Sequence, residues 1–158
     1  MIRILSAALT VLAFVAPANA QLTPSSDEPV DITGETAELQ DNVATWSGDV
    51  RVVQGEAILT TSRLIAELDD EGDFKTIRAE GAVRYSNGDE AITGERAVYD
   101  AASRTITITE NVIVTQGRQV MAAGKVIYWV DTGRVRFAPA PGGRIRGVFY
   151  TKSVGQQL

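Results

Sequence analysis

The sequence predicts an all-β protein: antiparallel repeats stacked on one another as a twisted open β-jelly roll with an apolar interior groove. Three observations carry that reading. Apolar and polar residues alternate with period two over many short runs, as half-buried strands require. Glycine-bearing turns break these runs at short spacing. One unit recurs about every 30 residues, a period that belongs to stacked architectures. No window carries the 3.6-residue period of an amphipathic helix.

In chain order, the first segment stands outside this fold. "MIR" is a short basic start, "ILSAALTVLAFVA" is apolar, and Ala18-Asn19-Ala20 is a small-x-small pattern. Residues 1–20 therefore read as a secretory signal peptide cleaved after Ala20, because a bilayer span needs roughly 20 apolar residues. Residues 21–29, rich in Pro and Ser, read as a flexible leader. No second apolar run of that length follows, so a soluble exported protein is expected.

From Val30 the texture is β. In "DVRVV", Val50 and Val52 share one face and Asp49 and Arg51 the other. "SRLIAEL" alternates as Leu64, Ala66 and Leu68, and reads as a strand. "TITIT" sets Ile106 and Ile108 opposite Thr105 and Thr107. "VIYWV" and "RVRF" continue the pattern, with Val135 and Phe137 facing away from Arg134 and Arg136. Between them, "SNGDE" offers Asn87-Gly88, a hairpin pair in which both residues tolerate positive φ. "QGE", "DDEGD", "QGR" and "DTGR" each supply a glycine for a reversal. "DDEGD" lacks the ligand spacing and terminal glutamate of an EF-hand loop, so it reads as a solvated turn and no metal is expected.

The repeat aligns "GDVRVVQGEAILTTSRLIAEL" from Gly48, "GAVRYSNGDEAITGERAVYD" from Gly81 and "ENVIVTQGRQVMAAGKVIYWV" from Glu110. Each unit is a strand, a glycine turn, a second strand, a small-residue kink and a third strand. "ITGETAEL" at Ile32 matches the second half of a fourth unit. The shared I-T-G-E-x-A marks a corner: Gly34 and Gly94 allow the bend, and Ala37 and Ala97 fit where the walls approach. A single unit cannot bury its apolar face, so neighbours stack into one interior.

Composition narrows the function. The 158 residues make one small domain with no histidine and no cysteine. That removes the commonest general base, the triad base, disulfides and thiolate metal sites. Acids such as Asp69, Asp70, Glu71, Asp89 and Glu90 fall at turns, where solvation explains them. Neither catalysis nor a cofactor is expected. Charge is uneven: residues 21–110 hold 19 acids and 7 bases, and residues 111–158 hold 1 acid and 7 bases. Such asymmetry flags an interacting end.

Large aromatic fillers are scarce, so the interior between the walls is expected to stay open as a lipid groove. Strand parity selects its lining: Val50, Val52, Ile58, Ile77, Val83 and Tyr85 in the first half, then Ile106, Ile108, Val112, Val114, Met121, Tyr128 and Val130. Arg134, Arg136, Arg144 and Arg146 are candidates for phosphate or partner contacts, since guanidinium forks suit both. The free edges are expected near residues 30–39 and at the C-terminal strands, including residues 144–150, where a partner strand can add.

"NVATWSGDVRVVQGEAILTTSRLIAEL" and "GERAVYDAASRTITITENVIVTQGRQVMAAGKVIYWVDTGRVRF" resemble the OstA-like (LptA) family of periplasmic lipopolysaccharide-transport proteins. The phrases G-(D/N)-V-x-V-x-Q-G and A-x-x-x-x-Y followed by a later glycine carry the likeness, over residues 30–137. Residues 138–158, a Pro/Gly linker and then a strand or docking tail, depart from it. The resemblance implies a jelly roll that binds the acyl chains of lipopolysaccharide in the periplasm. It also implies head-to-tail pairing with further copies, and a bridge from an inner-membrane LptC-like component to an outer-membrane LptD-like translocon. Nucleic acid is not among the expected partners. The periplasmic domain of an LptC-like relative, or a structural exported β-repeat without lipid, are the alternatives.

Overall fold

A computed structural model describes residues 28–151. The segment expected to be a signal peptide, most of the expected leader and the last seven residues lie outside them. The elements are β1 (Asp31–Thr33), β2 (Thr36–Gln40), β3 (Val43–Gln54), β4 (Ala57–Leu68) and β5 (Phe74–Asn87), followed by β6 (Glu90–Asp100), β7 (Thr105–Gln116), β8 (Gln119–Trp129), β9 (Arg134–Ala138) and β10 (Arg146–Val148). All are antiparallel and join one open sheet in the order β1-β3-β4-β5-β6-β7-β8-β10, with β2 also on β3 and β9 also on β8.

Every long strand is interrupted near its middle, and the interruptions line up across the sheet. The register shifts fall at Ser47/Val50, Thr60/Arg63, Glu80/Val83, Thr93/Arg96 and Thr109/Val112. This seam folds the sheet into two walls that face one another across a shared apolar interior. Bulges bend strands and sharpen their twist, which is how one sheet becomes a jelly roll.

The two kinds of strand take the seam differently. β3, β5 and β7 each insert a left-handed pair: Gly48 and Asp49, Gly81 and Ala82, Glu110 and Asn111. Two extra residues leave the side-chain parity unchanged. On β4, β6 and β8 two successive residues point outward, such as Ser62 and Arg63 or Glu95 and Arg96, and the parity switches. The three aligned sequence units thus begin on the three left-handed pairs, and their small-residue kinks are the parity switches. The Thr61 side chain, 5% exposed, ties the seam together by donating to the Glu80 carbonyl at 2.9 Å.

Hairpins at one end of the stack share one design. Gln54 pairs Ala57, Asn87 pairs Glu90 and Gln116 pairs Gln119, leaving two-residue loops that begin with Gly55, Gly88 or Gly117 at positive φ. The central hairpin therefore turns on Gly88-Asp89, one residue later than the expected Asn87-Gly88, because Asn87 is still paired. At the far end, the Asp41-Asn42 hairpin has both residues at positive φ. There Asp69 also accepts the Glu71 and Asp73 backbone N–H groups at 3.0 and 2.9 Å. Those local bonds explain the acidic turn.

The I-T-G-E copies do occupy corners, but their glycines have different reasons. Neither Gly34 nor Gly94 is left-handed. Gly94 is buried, and a Cβ there would lie 2.6 Å from Ile108 Cγ2, so it permits a close approach of β6 and β7. Gly34 faces only ordinary contacts at 3.5 Å and separates β1 from β2. Ala97 is buried as expected, whereas Ala37 is exposed because β2 is an edge strand with one neighbour.

The C-terminal segment repeats the arrangement of the N-terminal one. β9 continues the first wall, residues 139–145 cross the seam, and β10 continues the second wall beside β8. A glycine is required at the crossing: a Cβ on Gly124 would sit 2.3 Å from the Ala140 backbone. Outside, Arg118 lies over the Tyr150 ring at 4.2 Å and holds the tail against the last Gly-x hairpin.

Candidate functional site: an apolar groove

Cross-strand registers show which side chains share the interior. Along the second wall, Val52, Leu59, Tyr85, Ile92, Val114 and Met121 form one unbroken row. Along the first wall, Leu64, Ala79, Ala97, Ile108, Val126 and Phe137 form another. Val50, Val83 and Val112, each 2% exposed or less, floor the groove beside the seam where the walls diverge. Valine suits that floor, since its branched side chain fills a half-pleat with few rotamers to lose.

Farther from the seam the interior is not filled. A cavity of about 340 Å³ lies toward the β1 edge and is lined by Ile32, Val52, Leu59, Ile77, Tyr85 and Ile106 among others. A second, of about 280 Å³, lies toward the β10 edge against Ile92, Val114, Met121, Tyr128, Phe137 and Phe149. Both take side chains from both walls. The first lies at the bottom of the size range of small-molecule sites and the second just below it, and both are mainly apolar with few polar groups.

Of the residues selected by parity, Val52, Ile77, Val83, Tyr85, Ile106 and Ile108 line the first cavity. Val114, Met121 and Tyr128 line the second. Val50 and Val112 are core beneath them, and Val130 packs against that core. Ile58 is a correction. It pairs Val53 and Ser86 on the outer face, and its neighbour Leu59 takes the interior place. The cause is the parity switch at Ser62. An alternation carried back from Leu64 and Ala66 lands on Ile58, one residue out of step.

Sequence reasoning also left out Leu59, Ala79, Ile92, Tyr99 and Val126. Their signal was present in the alternation of each strand, once the switch at each kink is allowed for. Phe149 had no such signal, because it reaches the groove from beyond the last strand.

The four arginines stand elsewhere. Arg134 and Arg136 pair Trp129 and Ile127 on the outer face, and Arg134 stacks over the Trp129 ring at 4.8 Å. Arg146 pairs Ala122, also outward. Arg144 borders a shallow hollow beside Ile113 and Gly143. None of them lines either groove cavity.

The outer face of the first wall is conventionally charged. Glu67 accepts from Thr76 Oγ1 at 3.0 Å and pairs Arg78 at 3.0 Å. The Thr76 hydrogen bond first, then Arg78, hold its carboxyl below the ordinary value. Within the groove the opposite holds. Burial pushes Glu90 up, and burial also pushes the Tyr85 phenol up, although a hydrogen bond with the Asn87 side chain opposes it. Among the described residues the one group of clustered acids is Asp69, Glu71 and Asp73, at a solvated turn, and none of the three lines either cavity.

Comparison with known proteins accords with this geometry. Residues 31–134 match the family model described as LptA/(LptD N-terminal domain) LPS transport protein. Among solved structures, the chain is similar to LptH from Pseudomonas aeruginosa, described as the LptA homologous periplasmic component of the conserved lipopolysaccharide transport device. That likeness has 22% sequence identity, a TM-score of 0.68, and covers 78% of this chain and 96% of LptH. No curated protein sequence matches.

Proposed function

This chain belongs to the LptA/LptD N-terminal-domain family of lipopolysaccharide-transport proteins, and we propose that it acts in the periplasm as a non-catalytic conduit for lipopolysaccharide. The groove shields acyl chains while the phosphorylated sugars remain in water at the open side. The observation that carries this reading is the unfilled apolar interior, lined from both walls and extending between two unsealed sheet edges. A chain moving from water into such a trough gains roughly 0.8 kcal/mol per buried methylene. No chemistry is required of the protein.

The edges support the wider role. β1 and β2 with their loops carry Asp31, Glu35, Glu38 and Asp41, while the opposite edge carries Arg134, Arg136, Arg144 and Arg146. Opposite charges at opposite ends favour head-to-tail encounter, which gives an open chain and not a closed ring. Strand addition at these edges would join copies to one another, and to an LptC-like component at the inner membrane and an LptD-like translocon at the outer membrane. Raising salt should weaken self-association; association indifferent to salt would remove the steering argument.

Photo-cross-linking tests the conduit. A photoreactive residue at Leu59, Ile108 or Met121 should capture lipopolysaccharide in cells that make it. The same residue at Ile58 or Thr107, on the outer face, should not. Capture at neither set would refute a lipid-filled groove, and equal capture at both would refute confinement to it.

A further inference from the structure

The rim of the groove differs from its walls. In the second wall, the inward row next to the Gly-x hairpins reads Gln54, Ala57, Asn87, Glu90, Gln116 and Gln119, where the row below it is Val52, Leu59, Tyr85, Ile92, Val114 and Met121. A hydrogen-bonding lip therefore follows directly on an apolar wall, one residue pair farther out. At the matching rim of the first wall the inward residues are apolar, including Phe74 and Val135. The lip is one-sided.

Three of its members are not consumed by the fold, whereas the Asn87 side chain is engaged with Tyr85. Glu90, Gln116 and Gln119 border the cavity that also holds Met121 and Tyr128. Among the described residues no hydrogen bond reaches these three side chains, whereas Gln54 donates to the Glu28 carbonyl at 3.1 Å. Half-burial of a carboxylate with no cation against it is costly unless something donates to it. The raised Glu90 carboxyl reflects that position.

We propose that Glu90, Gln116 and Gln119 form a hydrogen-bonding subsite for the neutral linkage region of an amphiphile, the ester, amide and hydroxyl groups that join its hydrocarbon chains to its head. This rests on the reading of the groove as a lipid site and adds a direction to it. Chains enter the apolar rows, and the linkage groups stop at the lip. A phosphate is the wrong partner there, because Glu90 would repel it. A hydroxyl or amide N–H can donate to the Glu90 carboxylate, and an ester or amide carbonyl can accept from the Gln amides. A donor to a charged acceptor is among the stronger neutral-ligand contacts available.

The test uses two neutral probes that differ by one hydroxyl, methyl 3-hydroxytetradecanoate and methyl tetradecanoate, each displacing N-phenyl-1-naphthylamine from the protein. The wild-type protein should bind the hydroxy ester more tightly by about tenfold, the lower end of the scale of one hydrogen bond to a charged group. Glu90→Leu should invert the order, weakening the hydroxy ester and tightening the plain one. Glu90→Gln, whose amide still accepts, should keep the wild-type order, and Gln119→Leu should narrow it. If Glu90→Leu unfolds, Gln116→Leu combined with Gln119→Leu must narrow the preference instead. An unchanged preference in these variants overturns the subsite while leaving the groove intact. Failure of both esters to displace the fluorophore overturns the groove reading, and the subsite with it.

Discussion

Two copies of one phrase should respond in opposite ways to one substitution. In Gly94→Ala the new Cβ meets Ile108 Cγ2 at 2.6 Å and the Thr109 carbonyl oxygen at 3.2 Å. Comfortable contact between carbons begins near 3.5 Å, so something must give by about 1 Å. Ile108 is β-branched and 4% exposed, and the carbonyl belongs to a paired strand, so neither can swing aside. Overpacking of this kind costs about 1–3 kcal/mol. Against it stands a gain of about 0.4–1 kcal/mol from a stiffer unfolded chain, available because Gly94 is not left-handed. The net expectation is a loss of about 1–2 kcal/mol. In Gly34→Ala the nearest atoms are at 3.5 Å, so the same gain arrives without the clash, and the variant should be neutral or slightly more stable. Urea denaturation of the chain from Gln21 measures both. At a slope of about 2 kcal/mol per molar, Gly94→Ala lowers the midpoint by roughly 0.5–1 M. A double-mutant cycle isolates the cause: Ile108→Ala alone costs about 2–5 kcal/mol, and in that background Gly94→Ala should no longer destabilise. If Gly94→Ala costs the same with and without Ile108, or if Gly34→Ala costs as much, close approach is not what the glycine is for.

Three further outcomes follow from the charges and the tail. Because Glu67 is held below its ordinary pKa, its interactions stabilise the fold above the unfolded value and are lost as pH falls through the folded one. Glu67→Gln should therefore flatten the acid side of a stability–pH curve and leave its slope above neutrality unchanged. Glu90 has the reverse sign: its raised pKa lowers stability as pH rises from the unfolded value through the folded one. Glu90→Gln should stabilise the protein at neutral pH and give no advantage below the ordinary carboxylate range. Arg118→Ala removes the cation–π contact with Tyr150, worth about 0.5–1 kcal/mol at an exposed site. Hydrogen exchange should then quicken several-fold at the amides where β8 faces β10, near Val120 and Ala122, and stay unchanged in β5.

Much of this was legible in the sequence, and the exceptions share one cause. Strict alternation in "TITIT" placed Ile106 and Ile108 correctly, because β7 keeps its parity through the left-handed pair at Glu110 and Asn111. Ile58 went astray on β4, where the parity switches. Period two is a local rule, and it says nothing of a one-residue slip until the kink is recognised as part of the unit. The repeat itself contained that information: Ser62, Glu95 and Gly124 occupy equivalent places in three aligned phrases. Phe149 and β10 were less legible, because "PGGRI" looks the same as a linker whether or not a strand follows. An open interior was inferred from strict alternation with few large aromatics and from the unpaired ends of the stack. Its size depends on how far two walls diverge, which no single segment specifies.

The alignment of all the interruptions into one seam gives the molecule a unit of length. Each repeat adds one strand to each side of a hairpin and contributes the same short stretch to both walls, so the cross-section is set once and copied. Insertion of a whole unit would lengthen the trough by two strands, roughly 10 Å at the usual strand spacing, and would leave its width, its floor of valines and its polar lip in step. An odd-numbered insertion within a strand would put the side chains beyond it on the wrong face, and an even-numbered one would carry them out of line with the seam. The trough can therefore grow or shrink only in whole increments, and its reach between two points is a count and not a continuous distance.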